Sequence, residues 1–157
     1  MNKDEGSPAP ESAHPGLHEL FRRWSGQLRD GHVPSTDDIG FDEFLEQNPG
    51  AAYITIGQHP DGSPRYFYSR VGPAHKATLG RDVEGYWLDE IVDSDQIAQY
   101  EGTYNNIVSN RQAHYWMRLN TPVSGKLFTF ERMLVPVSED GKTVDGLVGV
   151  WVFVENP

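Results

Sequence analysis

Glu131 and Arg132, adjacent in a β-rich run, and the acidic cluster Asp89, Glu90, Asp93 and Asp95 are the groups in this sequence whose types could do acid–base work. Two carboxylates in unequal surroundings can divide the roles of general acid and general base, as they do in hydrolases. The cluster has a plainer reading, a solvated helix start whose negative charge favours the helix dipole. Alternation along a strand sends Glu131 to one face with Thr129 and Met133, and Arg132 to the other with Phe128 or Phe130 and Leu134. One of the pair can then reach an interior while the other bonds at the surface or to Asp82 or Asp145. For Arg132 the expectation is a structural ion pair.

Six histidines raise the question of a metal, and His14 with His18 stands at the helical spacing of a ligand pair, but at the start of a helix and with no third ligand in sight. His75 and His114, the latter beside Tyr115 and Trp116, read as surface or partly buried polar residues. The chain has no cysteine, which excludes a thiol nucleophile, a thiolate metal site, a disulfide framework and any cysteinyl-flavin photochemistry. Structural zinc is disfavoured with it. No Walker loop, dinucleotide glycine fingerprint, Gly-x-Ser-x-Gly elbow or His-Glu-x-x-His motif occurs, so no catalytic residue is singled out. Tyr53, Phe67, Trp87, Tyr100, Tyr104, Trp116, Phe128 and Phe130 either line a small-molecule pocket, where aromatic walls with hydroxyl tips bury and orient a ligand, or fill a core.

Elements must position these groups. Leu17, Leu20, Phe21, Trp24 and Leu28 fall on one face of a helix that opens at Pro15 and closes at Gly31. Ser35 or Thr36 then caps a short helix through Phe41, Phe44 and Leu45, stopped at Asn48-Pro49-Gly50. AAYITIGQ and PRYFYSRV flank an Asp61-Gly62 turn and predict a hairpin. Residues 72–110 are helical in character: a short piece over 74–78, a loop at LGRDVEGYW, a turn at LDEIV, and a helix over 94–110. Ser94 is its N-cap and Ile97, Tyr100, Tyr104, Ile107 and Val108 are its apolar stripe. AHYWMRLN, KLFTFERMLVPV and VDGLVGVWVFV, separated by residues 121–125 and 138–142, complete an antiparallel meander.

This order predicts an α+β fold with a five-stranded antiparallel sheet, in which the meander returns beside the first hairpin, helices cover one face, and an amphipathic helix precedes it. The last strand places Leu147, Gly149, Trp151 and Phe153 on one face and Val148, Val150, Val152 and Val154 on the other. Both faces are apolar and need cover. One looks at the helices; the other needs the N-terminal helix folded back or a second subunit, with Leu17, Leu20, Phe21, Trp24, Leu28, Trp151 and Phe153 as interface candidates and a homodimer as the expectation.

The chain has 157 residues, which is one domain. Its formal charge of -10 repels nucleic-acid phosphates and anionic lipid. No apolar stretch reaches the roughly 18 residues that span a bilayer, and the N-terminus lacks the apolar run of a signal peptide, so no membrane and a cytoplasmic location are expected.

Three spaced patterns bear on a family. Trp24, Leu28, Gly31 and VPSTDD make a Trp-containing helix followed by a Pro-Ser-x-x-Asp turn. LGRDVEGYWLDEIV carries a Gly-x-Asp-x-x-Gly turn at Gly80, Asp82 and Gly85. FERMLVPVSEDGKTVDGLVG joins an aromatic-Glu-Arg, a Pro closing the strand, an Asp-Gly turn and a Val-Asp. In this order they resemble the PAS sensory domains, and within them the short bacterial group with its own N-terminal helix. The departures are Phe130 where Tyr is usual, and Met133, Val135 and Val137 where leucines stand.

The resemblance implies a disordered tail over 1–14, an N-terminal helical segment over 15–49 and a PAS-like domain over 50–157. It implies a sensory or protein-interaction role, a possible small apolar or aromatic ligand of unknown identity, and a signalling partner reached in trans, since little chain lies outside the domain for an effector. Haem is disfavoured, because residues 94–110, the helix from which some PAS proteins ligate it, contain no histidine. Two other readings stay open: a small α+β isomerase or dehydratase with Glu131 or Asp82 as its buried base, and a structural dimer module with a filled core.

Overall fold

Pro15 at the first turn and the His14 ring, whose Nδ1 accepts from the Gly16 N–H at 3.0 Å, start helix α1 (Pro15–Ser25). The computed structural model describes residues 6–123 and 125–157. Of the expected 1–14 tail, residues 1–5 lie outside the described residues, while Ala13 is buried and Ala9 packs against the core. α1 ends at Ser25, earlier than its apolar spacing predicts, because the chain tightens there into i→i−3 bonds, Gln27 N–H to Trp24 O at 3.1 Å and Leu28 N–H to Ser25 O at 3.3 Å; Leu28 therefore falls beyond the helix and is 37% exposed. Gly31 sits instead in the tight turn where Arg29 bridges His32.

Ser35 and Asp38 exchange side-chain and backbone hydrogen bonds, both at 3.0 Å, in a capping box that starts α2 (Thr36–Ile39). A left-handed Gly40 separates it from α3 (Phe41–Gln47), so the single short helix read from the sequence is two. Strands β1 (Ala51–Gln58) and β2 (Pro64–Val71) form the expected hairpin. Helices α4 (Pro73–Leu79), α5 (Leu88–Ile91) and α6 (Ile97–Asn110) follow. Ser94 does not cap α6: residues 93–96 close a separate turn, Gln96 N–H to Asp93 O at 2.9 Å, and the helix begins after it.

Strands β3 (His114–Val123), β4 (Lys126–Val137) and β5 (Gly146–Glu155) make the meander, with β3 running further than its apolar pattern suggests; Ser124 lies outside the described residues. The sheet order is β2-β1-β5-β4-β3, all pairs antiparallel. The last strand thus pairs with the first, as required to protect the hairpin edge.

The sheet has two packed faces. On the outer one, α1, α2 and α3 meet Met133, Val135, Val137, Val148 and Val150. Leu17, Leu20, Phe21 and Trp24 are all buried there, and the Trp24 Nε1–H donates to the Pro136 carbonyl at 2.8 Å. Burying these four side chains contributes on the order of 6–12 kcal/mol before ordering entropy is subtracted. On the inner face, α5 and α6 pack over Ala52, Ile54, Tyr66, Tyr68, Leu134, Leu147 and Trp151. Among the described residues no helix is long and apolar enough to cross a membrane.

Candidate functional site

Between α4, α5, α6 and the inner sheet face lies a cavity of about 360 Å³, lined by residues that include His75, Leu88, Tyr100, Tyr104, Phe128, Phe130, Trp151 and Phe153. Alternation along β4 and β5 aims Phe128 and Phe130, then Trp151 and Phe153, at it. Trp151 and Phe153, read as interface candidates, face this cavity instead and sit opposite the α1 stripe, because odd positions of β5 are inward. The hydroxyls of Tyr68 and Tyr104 share a hydrogen bond at 2.7 Å, and burial raises the pKa of both. His75 packs edge-on against Trp151 and Phe153, 4.9 and 5.3 Å between ring centroids, and its Nε2 lies 2.9 Å from the Gly50 carbonyl. Burial lowers its pKa to about 4.

A second cavity of about 180 Å³ adjoins the first across Tyr100 and is lined by Gln99, Tyr100, Thr103, His114, Trp116 and Arg132. Arg132 lies in register between Trp116 on β3 and Trp151 on β5. Only 2% exposed, it makes no ion pair among the described residues, and its Nε has no hydrogen-bond partner there. The expected ion pair to Asp82 or Asp145 is not formed. Asp82 pairs with Lys76 at 3.2 Å, and an Asp145 oxygen accepts from the Glu139 N–H. In place of a carboxylate, the guanidinium carbon lies 4.7 Å from the Trp116 ring centroid and 5.7 Å from that of Tyr104. Such contacts are worth about 0.5–2 kcal/mol each, against an effective cost of several kcal/mol for desolvating an ion. His114 Nδ1 is likewise buried without a partner, and burial, then the Arg132 charge, lowers the His114 pKa.

Of the eight aromatic candidates, Tyr100, Tyr104, Trp116, Phe128 and Phe130 line these cavities. Tyr53, Phe67 and Trp87 do not. Tyr53 packs on Phe41 at 6.0 Å under the N-terminal helices. Phe67 alternates with the inward Tyr66 and Tyr68, and Trp87 stacks on it at 4.9 Å, where Arg65 covers the indole at 4.3 Å. Trp87 gets there because the loop before it joins the β2 edge: the Gly85 N–H donates to the Tyr68 carbonyl at 2.8 Å, and the Tyr68 N–H to Tyr86 at 2.9 Å. Gly80 and Gly85 both have positive φ, which is what that turn requires of them, while Asp82 is exposed.

Glu131 is on the outer face, accepting from the Tyr115 hydroxyl at 2.8 Å and the His14 N–H at 2.7 Å. Neither it nor Asp82 lines either of these two cavities. Of the acidic cluster, Asp93 lines the larger cavity and Asp89 forms a two-pronged pair with Arg65 at 2.8 and 2.9 Å, which lowers its pKa. His59, Asp89 and Glu101 bring ligand atoms within 4.8 Å of one another, a constellation the sequence reading missed because a hairpin turn and two helices supply it. The Arg65 cation already serves Asp89, and His59 and Glu101 contact each other at 2.7 Å. His14, occupied in capping α1, is held by its own helix start.

No family model matches the chain, and no curated protein matches it. Solved structures are similar. The PAS domain of BvgS from Bordetella pertussis has a TM-score of 0.55, at 14% identity over 76% of this chain and 88% of that one. A light-oxygen-voltage domain studied with a flavin analogue has a TM-score of 0.50, at 11% identity over 73% of this chain and 84% of that one. A sensory box sensor histidine kinase from Vibrio cholerae, at 16% identity over 76% of this chain and 90% of that one, has a TM-score of 0.47. Identities this low carry backbone arrangement alone, and by that arrangement, a five-stranded antiparallel sheet in the order β2-β1-β5-β4-β3 with helices over its inner face, the chain has a PAS-like fold.

Proposed function

We propose that the chain is a sensory or protein-interaction module of the PAS type, of the short bacterial form with its own N-terminal helix, that holds a small molecule between helices and sheet and signals through a partner in trans. The observation that carries this reading is the cavity of about 360 Å³ walled by Leu88, Tyr100, Tyr104, Phe130 and Phe153, within the size range of small-molecule sites. The PAS-like fold supports it, and one of the similar structures is a light-oxygen-voltage domain. The absence of cysteine rules out a cysteinyl adduct here. A ligand biases such a module only if it favours one of two packings, and α6, whose Tyr100 and Tyr104 wall the cavity, is the element it would bias.

A second copy of the chain belongs to the same reading. α1 covers part of the outer face, leaving Met117, Leu127 and Val154 exposed by 45, 46 and 56% on the strands beyond it. Native mass spectrometry of freshly purified protein tests both parts. A dimer with extra mass supports a ligand-sensing module. A bare dimer shifts the reading to protein interaction, and a bare monomer removes the second copy and any ligand tight enough to survive purification.

A further inference from the structure

Arg132 differs from the other arginines whose side-chain bonds are described. Arg23, Arg65 and Arg70 each hold a carboxylate, and Arg29, Arg81 and Arg111 reach backbone carbonyls. All of these are on or near the surface. Arg132, held on β4 between two tryptophans, has its Nε–H unanswered and lines a cavity that His114, whose Nδ1 is also without a partner, lines from β3. Two residues on adjacent strands, each with a buried polar atom lacking a partner, thus line one space. A buried guanidinium with an unanswered Nε–H is complementary to a planar anion, because guanidinium donors match the two oxygens of a carboxylate.

We propose that the cavity between α6 and strands β3 and β4 binds a small monocarboxylate, with Arg132 as the anchor of its carboxyl group. This rests on the ligand-sensing reading and names the ligand's chemical class. Trp116 and Tyr100, edge-on at 5.8 Å, wall the cavity, so the body of the ligand is flat or short and apolar. A volume of about 180 Å³ restricts it to less than drug size. Arg132 is the one cation among the lining residues, which suits a single negative charge better than a phosphate dianion. Thr103 and Gln99 offer further polar groups from α6, and His114 Nδ1 can complete the set. The ligand then bridges α6 to β4 through an ion that the protein itself leaves unpaired. Arg118 lies alongside, its guanidinium carbon 5.9 Å from the Trp116 ring centroid and its Nη1 3.5 Å from the Tyr100 hydroxyl.

The experiment measures calorimetric binding and thermal shift for the full chain with benzoate, cyclohexanecarboxylate and hexanoate, each beside its primary amide. At least one acid is expected to bind about tenfold or more tightly than its amide, since only the carboxylate pairs with the guanidinium. Arg132→Gln, checked for folding by circular dichroism, is expected to abolish that preference, and Arg132→Lys to recover part of it. If Arg132→Gln does not fold, the acid-to-amide ratio on the unaltered chain decides alone. Equal binding of acid and amide, an acid preference that survives in folded Arg132→Gln, or no acid binding at all overturns the proposal. Native mass spectrometry separates the two levels: a retained neutral molecule leaves ligand sensing standing without the anion site, whereas bare protein that binds neither acids nor amides removes both.

Discussion

His75 is held where its charge cannot follow pH. The Gly50 carbonyl only accepts, so Nε2 carries the proton, and the ring stays neutral between Trp151 and Phe153. Its pKa falls from 6.5 to about 4 on burial. The unfolded chain then binds a proton in this range that the folded chain refuses. The stabilisation is complete above pH 6.5 and is lost as pH falls toward 4. Burial of one such ring makes this loss on the order of 3 kcal/mol. His114, also depressed, acts in the same direction, whereas Asp38, Asp89 and Asp140 have lowered pKa values and lose their contribution only at more acidic pH. Urea titrations at several pH values are expected to show the midpoint falling through this window, with a shallower fall in His75→Gln; identical acid slopes for the two chains would remove His75 as the cause. Little of this was legible beforehand. Strand alternation fixes the inward face of Arg132, but of the acids expected for it Asp82 pairs with Lys76 and Asp145 accepts from the Glu139 N–H, and the burial of His75 depends on aromatic rings from β5.

At the scale of elements, α1 is fastened to the sheet by four apolar side chains and by the Trp24 hydrogen bond to Pro136. Trp24→Ala removes both kinds of contact and is expected to cost about 3–5 kcal/mol. Trp24→Phe keeps most of the apolar area but leaves the Pro136 carbonyl without its donor, a smaller loss of about 1–3 kcal/mol. Chemical denaturation of the two variants orders them, and no change in Trp24→Ala would mean that α1 is not docked in solution. The α1 stripe, the Asp61-Gly62 hairpin and the meander were readable because their periods and turn residues are local. The helix ends were not. A tightened turn over 24–28 ends α1 before Leu28, a turn at 93–96 displaces the start of α6, and Gly40 divides α2 from α3, each a choice between neighbouring ends that local spacing leaves undecided.

The sheet of the whole molecule follows from an argument about edges: a first hairpin and a later meander must share a border, and β1 and β5 do. The candidate site was legible only in part, since five of the eight aromatic candidates line the cavities, while alternation along β2 turns Phe67 outward and a loop that joins the β2 edge brings Trp87 to it. That border also decides when the molecule can become stable during synthesis. β1 leaves the ribosome early, yet its neighbour in the sheet is Gly146–Glu155, and the Trp24 bond to Pro136 closes 112 residues. Every element that precedes β5 therefore waits on it, because contacts so distant in sequence cannot form piecemeal. Stalled nascent chains ending before residue 146 are expected to stay protease-sensitive throughout and to gain protection in one step once β5 has emerged. Early protection of the 15–71 segment would show that the first hairpin and α1 fold without it.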